Sequence, residues 1–399
     1  MSKTMKVFMM LALVAMVSGG FAVAAHAQAT VYTVLNNDVY SGFNGSFNTG
    51  SVFINNNLSA TVLNTGSYGL GGGYFGIPRV DIAVSSGGKC VFLADAGGTS
   101  GGGPGDIASF NYPSFVGLTT SSNGGNGYLY GIGLSSEGNV LLAGWSANNV
   151  LESFKIGSGC TLSAINAVSI SGAGGGIDGV QIAPNGKWYL VTTADGDYEV
   201  GSITGGVLGA ATAYSATCAS TYGGLPTGTA IDSTSTYGYV DCLGGTAALI
   251  DAFNISAPGT ITESGPLNSL GGTPIYGSNT MGLSNDNKLM DVNGTFSGSV
   301  ETVKVSGLTL TDAGCASGNV SLPGYGSTWI YPGTINVLGS SAASAGGAVV
   351  TEASFGYTSD SYEQELINTT GNCLATHGTQ GSNGGASYLA LSGASYLKP

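Results

Sequence analysis

The feature that most constrains this chain is a short hairpin unit that recurs along it. One copy runs Val80-Asp81-Ile82-Ala83-Val84, then Ser85-Ser86-Gly87-Gly88-Lys89, then Cys90-Val91-Phe92-Leu93-Ala94-Asp95. Further copies centre on the turns Ser135–Asn139, Ala183–Lys187, Asp232–Thr236 and Ser284–Lys288, each flanked by short apolar segments such as Tyr130–Leu134 and Val140–Gly144. Alternating segments of this length are half-buried strands. The turn residues are those that accept positive φ or close Asx turns, as tight hairpins require. A third strand follows each hairpin (Ile107–Phe110, Val150–Phe154, Ser299–Val303), then a fourth such as Leu162–Ile165. No long run has helical spacing after the leader. Four short strands repeating every roughly 45–55 residues predict an all-β fold of propeller type.

Seven four-stranded antiparallel blades account best for the length. Six are read within the chain, and a seventh is expected from its ends. Val31–Leu35 reads as a second strand with no first, and Ala386–Leu391 as a first strand with too little after it. Pairing them would close the ring and remove exposed sheet edges. The sixth unit, around Ile335–Leu338 and Ala348–Thr351, is the least regular.

Residues 1–27 read as a secretory signal peptide. Lys3 and Lys6 precede an apolar stretch from Val7 to Val17, and Ala25-His26-Ala27 supplies a small-residue cleavage site. Residues 28–399 are then a single propeller domain, secreted or periplasmic. No later segment carries 18 consecutive apolar residues, so no membrane span is expected after leader removal. In an oxidising compartment Cys90, Cys160, Cys218, Cys242, Cys315 and Cys373 are disulfide candidates. Their wide spacing does not suit zinc. Cys218 with Cys242 is the preferred pair, because both flank the start of the fourth unit; Cys90 with Cys160 is a second pairing.

Charge narrows the partners. Only 8% of the residues are charged, with 9 Lys+Arg against 22 Asp+Glu, and Arg79 is the sole arginine. No basic patch can be assembled from so few cations, which excludes nucleic acid as a partner. A small molecule, a carbohydrate or a protein remains.

The phrase Ala183-Pro184-Asn185-Gly186-Lys187-Trp188-Tyr189-Leu190-Val191 resembles the turn-and-strand repeat of YVTN-type propellers, and Ser86–Ala94 is a looser copy. The resemblance implies membership among the lactonase-like seven-bladed propellers of exported bacterial proteins. The phrase lies on structural turns, so it implies no catalytic residue. The chain also departs from a sugar-phosphate enzyme in having one Arg and, after the leader, one His, His377.

In such a ring the first strands open at the channel mouth with Arg79, Asp81, Tyr130, Asp178, Thr227 and Asn279. Arg79 would hold a carboxylate or a sugar hydroxyl there, or pair with Asp81. Trp145 would stack on a sugar ring or pack a blade. Asp195, Asp197 and Glu199 place oxygens at i, i+2 and i+4, a partial spacing for Ca²⁺ that lacks the full loop; a solvated acidic loop is the plainer reading. No cofactor is predicted otherwise. Two functions follow: a binding or scaffold module with no assembled catalytic set, and a lactonase-like hydrolase using mouth carboxylates.

Overall fold

The computed structural model describes 28 strands between Thr30 and Lys398, with the connecting residues 85, 135–139, 148–149, 157–161, 170–172, 176, 183–187, 194–196, 205–206, 216–217, 232–236, 287–288 and 307–308. In the strands before residue 69 and after residue 328 the description is of backbone alone. The expected leader at 1–27 lies outside the described residues. No described helix is long and apolar enough to cross a membrane.

The strands pair antiparallel into four-stranded sheets, seven among the described residues. β1 (Thr30–Val39), β2 (Gly45–Phe53) and β3 (Ala60–Tyr68) form the first with a terminal strand given below. The second is β4 (Ile82–Val84), β5 (Cys90–Asp95), β6 (Asp106–Asn111) and β7 (Thr119–Ser122). The third is β8 (Leu129–Leu134), β9 (Val140–Trp145), β10 (Val150–Ile156) and β11 (Leu162–Ser169). The fourth is β12 (Ile177–Ile182), β13 (Trp188–Thr193), β14 (Asp197–Thr204) and β15 (Val207–Ser215). The fifth is β16 (Leu225–Ile231), β17 (Tyr237–Leu243), β18 (Ile250–Ala257) and β19 (Thr260–Pro266). The sixth is β20 (Ser278–Leu283), β21 (Leu289–Gly294), β22 (Ser299–Ser306) and β23 (Thr309–Ser317). The seventh is β24 (Trp329–Val337), β25 (Ala348–Phe355), β26 (Asp360–Ile367) and β27 (Thr376–Asn383). Finally β28 (Leu389–Lys398) pairs with β1, Val31 opposite Leu397.

Each sheet is a meander, so its connections fall at two ends. The turns between first and second strands and between third and fourth strands share one end, here the hairpin end. The loops between second and third strands, and the connections to the next sheet, share the other, here the connector end.

The recurring turns explain themselves by hydrogen bonds. The first residue of each donates its N–H across the turn: Ser85 to Cys90 O and Ser135 to Val140 O at 2.9 Å, Ala183 to Trp188 O at 2.9 Å, and Asp232 to Tyr237 O at 3.0 Å. The fourth residue is left-handed: Gly138 (φ 67°), Gly186 (φ 65°), Ser235 (φ 61°) and Asn287 (φ 58°). Gly adopts this region without cost and Asn at a small one. Successive turns are also tied together. Ser136 Oγ donates to Pro184 O (2.8 Å), Asn185 N–H to Ser235 Oγ (2.9 Å), and Ser233 N–H to Asn287 Oδ1 (2.9 Å). The Pro-Asn-Gly-Lys phrase is therefore one link in a belt along the hairpin end.

Because sheets stack on one another, both faces of the middle strands are buried and the strands read as continuous apolar runs. Leu141, Ala143, Trp145 and Phe154 pack on Phe92 and Ile107 of the preceding sheet. From the opposite face, Leu142 and Leu151 pack on Val180, Tyr189 and Val191 of the following one. Trp188, Leu190, Tyr198 and Val200 meet Val240, Phe253 and Ile255. The Tyr198 and Phe253 rings stack at 4.8 Å between centroids. First strands of successive sheets also touch, β8 with β12, β12 with β16, β16 with β20 and β20 with β24. Gly131 permits the first of these approaches: a Cβ there would sit 2.5 Å from the Asp178 carbonyl oxygen.

Cys90 and Cys160 form a disulfide with Cα atoms 5.5 Å apart, 70 residues apart in sequence. It joins β5 to the 3-10 turn Ser158–Cys160 of the next sheet, at the hairpin end. The second of the expected pairings is thus present, and the preferred pair, Cys218 with Cys242, involves a cysteine outside the described residues. Cys242 is disulfide-bonded too, to a cysteine outside the described residues, where Cys218, Cys373 and the Cys315 side chain also lie.

Candidate functional site

The backbone register of the first strands singles out one level near the connector end. In β8, Leu129 lies opposite Trp145 and Gly131 opposite Gly144, leaving Tyr130 as an extra residue. In β12, Ile177 faces Thr193 and Val180 faces Val191, so Asp178 and Gly179 oppose Thr192 alone. The same insertion recurs in β16, where Thr227 and Gly228 oppose Asp241, and in β20 at Asn279. In β24, Gly333 and Thr334 oppose Thr351. Five successive first strands therefore bulge at one level. A bulge bends its strand and re-aims a side chain, and such bulges concentrate beside functional sites.

The sequence-predicted mouth residues Tyr130, Asp178 and Asn279 fall on this level, as does Thr227. The side chains of Tyr130, Asn279 and Thr227 lie outside the described residues, as do Arg79 and Asp81 entirely. Asp178 is half-buried, with Oδ2 enclosed. The amides displaced by the bulges are satisfied from the second strand. Gly179 N–H donates to Thr192 Oγ1 at 2.7 Å, and Gly228 N–H to Asp241 Oδ1 at 2.6 Å. Thr192 and Asp241 occupy the same position in successive sheets, and both are fully buried.

A second set, missed from the sequence, lies in the third strands. Glu152 opposes Ala143, Glu199 opposes Val191, Asp251 opposes Val240 and Glu301 opposes Val292, so four consecutive sheets carry an acid at one position. Two of these carboxylates have the same task. Glu199 accepts from Ser171 Oγ at 2.7 Å, and Asp251 accepts from Thr217 N–H at 2.6 Å. Ser171 and Thr217 each begin the connection into the sheet that holds the acid. The buried carboxylate thus clasps the incoming chain. The sequence hides this set, because the loops between second and third strands differ in length, three residues between β13 and β14 and six between β17 and β18, so the acids do not fall at one distance after the turns.

Burial drives the titration of two of these carboxylates, Glu199 and Glu152. Burial raises the Glu199 pKa, the hydrogen bonds from Ser171 oppose the rise, and the nearby Asp197 charge adds to it. Burial also raises Glu152, opposed by the Trp145 indole N–H. That N–H stands close enough to favour the carboxylate without reaching hydrogen-bond geometry. A carboxyl with a raised folded pKa stabilises the fold when protonated. That contribution is complete below the ordinary value of 4.5 and is lost as pH rises through the folded value. Glu152→Gln is therefore expected to raise the thermal midpoint at pH 7 and to leave it nearly unchanged at pH 4. A midpoint lowered at both pH values would show that the charge is needed for packing.

The remaining candidates separate. Trp145 is completely buried among Phe92, Ile107, Leu129 and Phe154, so it is a wall of the core and not an exposed stacking surface. Asp195 is exposed in the turn before β14, Asp197 is half-buried near Gly172, and Glu199 is engaged by Ser171. Among the described residues no three His, Cys, Asp or Glu side chains are grouped to hold a metal ion.

Solved structures of similar shape place this arrangement. A candidate 6-phosphogluconolactonase from Bacteroides fragilis superposes with a TM-score of 0.63 at 14% identity, covering 94% of this chain and 99% of that one. The periplasmic gluconolactonase of Pseudomonas aeruginosa gives 0.62 at 12%, covering 90% and 99%. The β-propeller domain of Cps50 (Swd1) from Myceliophteria thermophila gives 0.51 at 11%, covering 76% and 87%. The chain has a β-propeller fold. At these identities the likeness concerns fold alone. No protein-family model matches the chain, and no curated protein matches it in sequence.

Proposed function

We propose that residues 28–399 form one exported, seven-bladed propeller that binds a small polyhydroxylated ligand, a sugar or its lactone, at the ring of first-strand bulges. The observation that carries this reading is the recurrence of the bulge at one level in β8, β12, β16, β20 and β24. The bulges on these five adjoining strands fall at Tyr130, Asp178, Thr227, Asn279 and Thr334, residue types that suit a ligand with many hydroxyls. Pairing of β28 with β1, and its contacts with β24 and β4, support closure by the two chain ends. The Cys90–Cys160 disulfide and the leader-like residues 1–27 support export. The YVTN-like turn phrase fits the same reading.

Lactone hydrolysis is the second reading, favoured by the lactonases among the similar structures. A mouth carboxylate such as Asp178 or Asp81 would take a proton from the attacking water as general base. Calcium at the mouth would add a Lewis acid, with Asp195 and Asp197 as the accessible oxygen donors.

Calorimetric titration of the purified chain with glucono-lactone and with glucose, with Ca²⁺ or chelator present, tests both. Binding is expected to weaken about tenfold in Asp178→Asn, as loss of a charge-assisted hydrogen bond requires. Turnover of the lactone that vanishes in the same variant would establish hydrolysis. No heat with either ligand would overturn the binding reading.

A further inference from the structure

The charges of this propeller are sorted between its two ends. Every lysine whose side chain is described is exposed at the hairpin end. Lys187 and Lys288 close turns between first and second strands. Lys155, opposite Val140, and Lys304, opposite Leu289, stand where third strands run into their turns. The described carboxylates at that end are Glu137 and Asp232, the latter enclosed by the N–H groups of Thr236 (2.6 Å) and Tyr237 (2.7 Å). Asp312, opposite Val303, lies further along its strand, between the two ends.

The connector end has the opposite composition. Its third strands hold Glu152, Asp197, Glu199 and Asp251, its turn before β14 holds Asp195, and its bulge level holds Asp178 and Asp241. No lysine or arginine is found there among the described residues. Arg79, outside the described residues, is the chain's sole arginine, and one cation leaves the sign of seven carboxylates unchanged.

We infer that the connector end is an anionic mouth that admits neutral and cationic solutes and repels anionic ones, so that its ligand is an unphosphorylated sugar or lactone. The inference deepens the binding reading above and rests on it for the identity of the ligand. The field itself does not depend on that reading. Fixed charges of one sign around a low-dielectric cleft focus the potential, and the lysines at the far end reinforce the gradient. A sugar phosphate carries close to two negative charges at neutral pH and would meet like charges from the third, fourth and fifth sheets.

Two arms test it. Asn148 is exposed in the loop between β9 and β10 at the connector end, and Thr204 is exposed at the end of β14 beside the hairpin-end turn. No cysteine is free among the described residues, so Asn148→Cys and Thr204→Cys introduce single reporters, with the unsubstituted protein as background. Each is reacted with a trimethylammonium and with a sulfonate methanethiosulfonate, and the rate ratio is compared with that of a small free thiol. The cation should be favoured several-fold at residue 148 and the anion at residue 204, both ratios collapsing in about 0.5 M salt. Equal ratios at the two positions, or a reversed order, would overturn the inference.

The second arm titrates glucono-lactone against 6-phosphoglucono-lactone. The phosphorylated form should bind about tenfold more weakly or worse. Equal or tighter binding of the phosphate ester would also overturn the inference. Binding of neither would overturn the ligand reading while the thiol ratios still decide the field.

Discussion

Trp188→Ala should destabilise the protein by about 3–5 kcal/mol. Trp188 is 3% exposed at the start of β13 and fills the space between two sheets, against Val240, Phe253 and Ile255. Its indole N–H also donates to Ser235 O, 3.0 Å away in the next turn of the belt. Alanine would leave a cavity and a buried carbonyl without its donor. Trp188→Phe separates the two contributions, keeping most of the volume and losing the hydrogen bond, at about 1 kcal/mol plus the reduced packing. Urea unfolding with unchanged slope is the measurement. A loss under about 1 kcal/mol for the alanine variant would mean that the two sheets are not held through this residue.

The second large effect is expected from the Cys90–Cys160 bond. Its loop of 70 residues spans β5 through β10, so removing it frees a long segment of the unfolded chain. The loop-entropy relation gives about 4 kcal/mol for this separation. The double variant Cys90→Ala, Cys160→Ala isolates the effect, because a reductant would also open the bond made by Cys242. Cys160 is buried, so alanine adds a small packing loss in the same direction. The midpoint of denaturation should fall markedly, and the change should persist in non-reducing buffer. If only about 1 kcal/mol is lost, neighbouring sheets are held together chiefly by their packed cores.

Much of the architecture could be read from residues. Turns were located because Gly138 and Gly186 meet the left-handed requirement, and second strands such as Cys90–Asp95 because their apolar runs are short and bounded. First strands were read too short. Alternation places the start of one at Val180, whereas β12 begins at Ile177. The bulge at Asp178 and Gly179 breaks the period of two, so periodicity hides the half of the strand nearest the mouth. The same displacement affects β16 and β20, where the alternation runs only from Thr229 and Met281 although the strands begin at Leu225 and Ser278.

The candidate residues could be placed on strands from the sequence, but not their surroundings. Asp178 and Asn279 were placed at strand openings, which is where the bulges lie. Trp145 looked like a sugar platform because it ends a strand at a loop. It shares a side with Leu141 and Ala143, however, and that side faces the preceding sheet. Glu199 looked like a calcium ligand from its local spacing, and its partner Ser171 lies 28 residues earlier. The disulfide was one pairing among many because Cys90 and Cys160 meet only through the adjacency of two sheets.

The belt of linked turns has a consequence for how such a chain can change over generations. At the hairpin end the described turns between first and second strands are tied in series, Ser136 to Pro184, Asn185 to Ser235 and Ser233 to Asn287. An inserted residue there would unfasten two junctions at once. At the opposite end the corresponding loops already differ in length, three residues between β13 and β14 and six between β17 and β18. Length change is therefore expected to be resisted in these linked turns alone, since the hairpins between third and fourth strands at the hairpin end already differ, with two residues from β14 to β15 and five from β10 to β11. The connector-end loops lie beside the bulges, so the surroundings of the bulges can change while the linked turns stay the same.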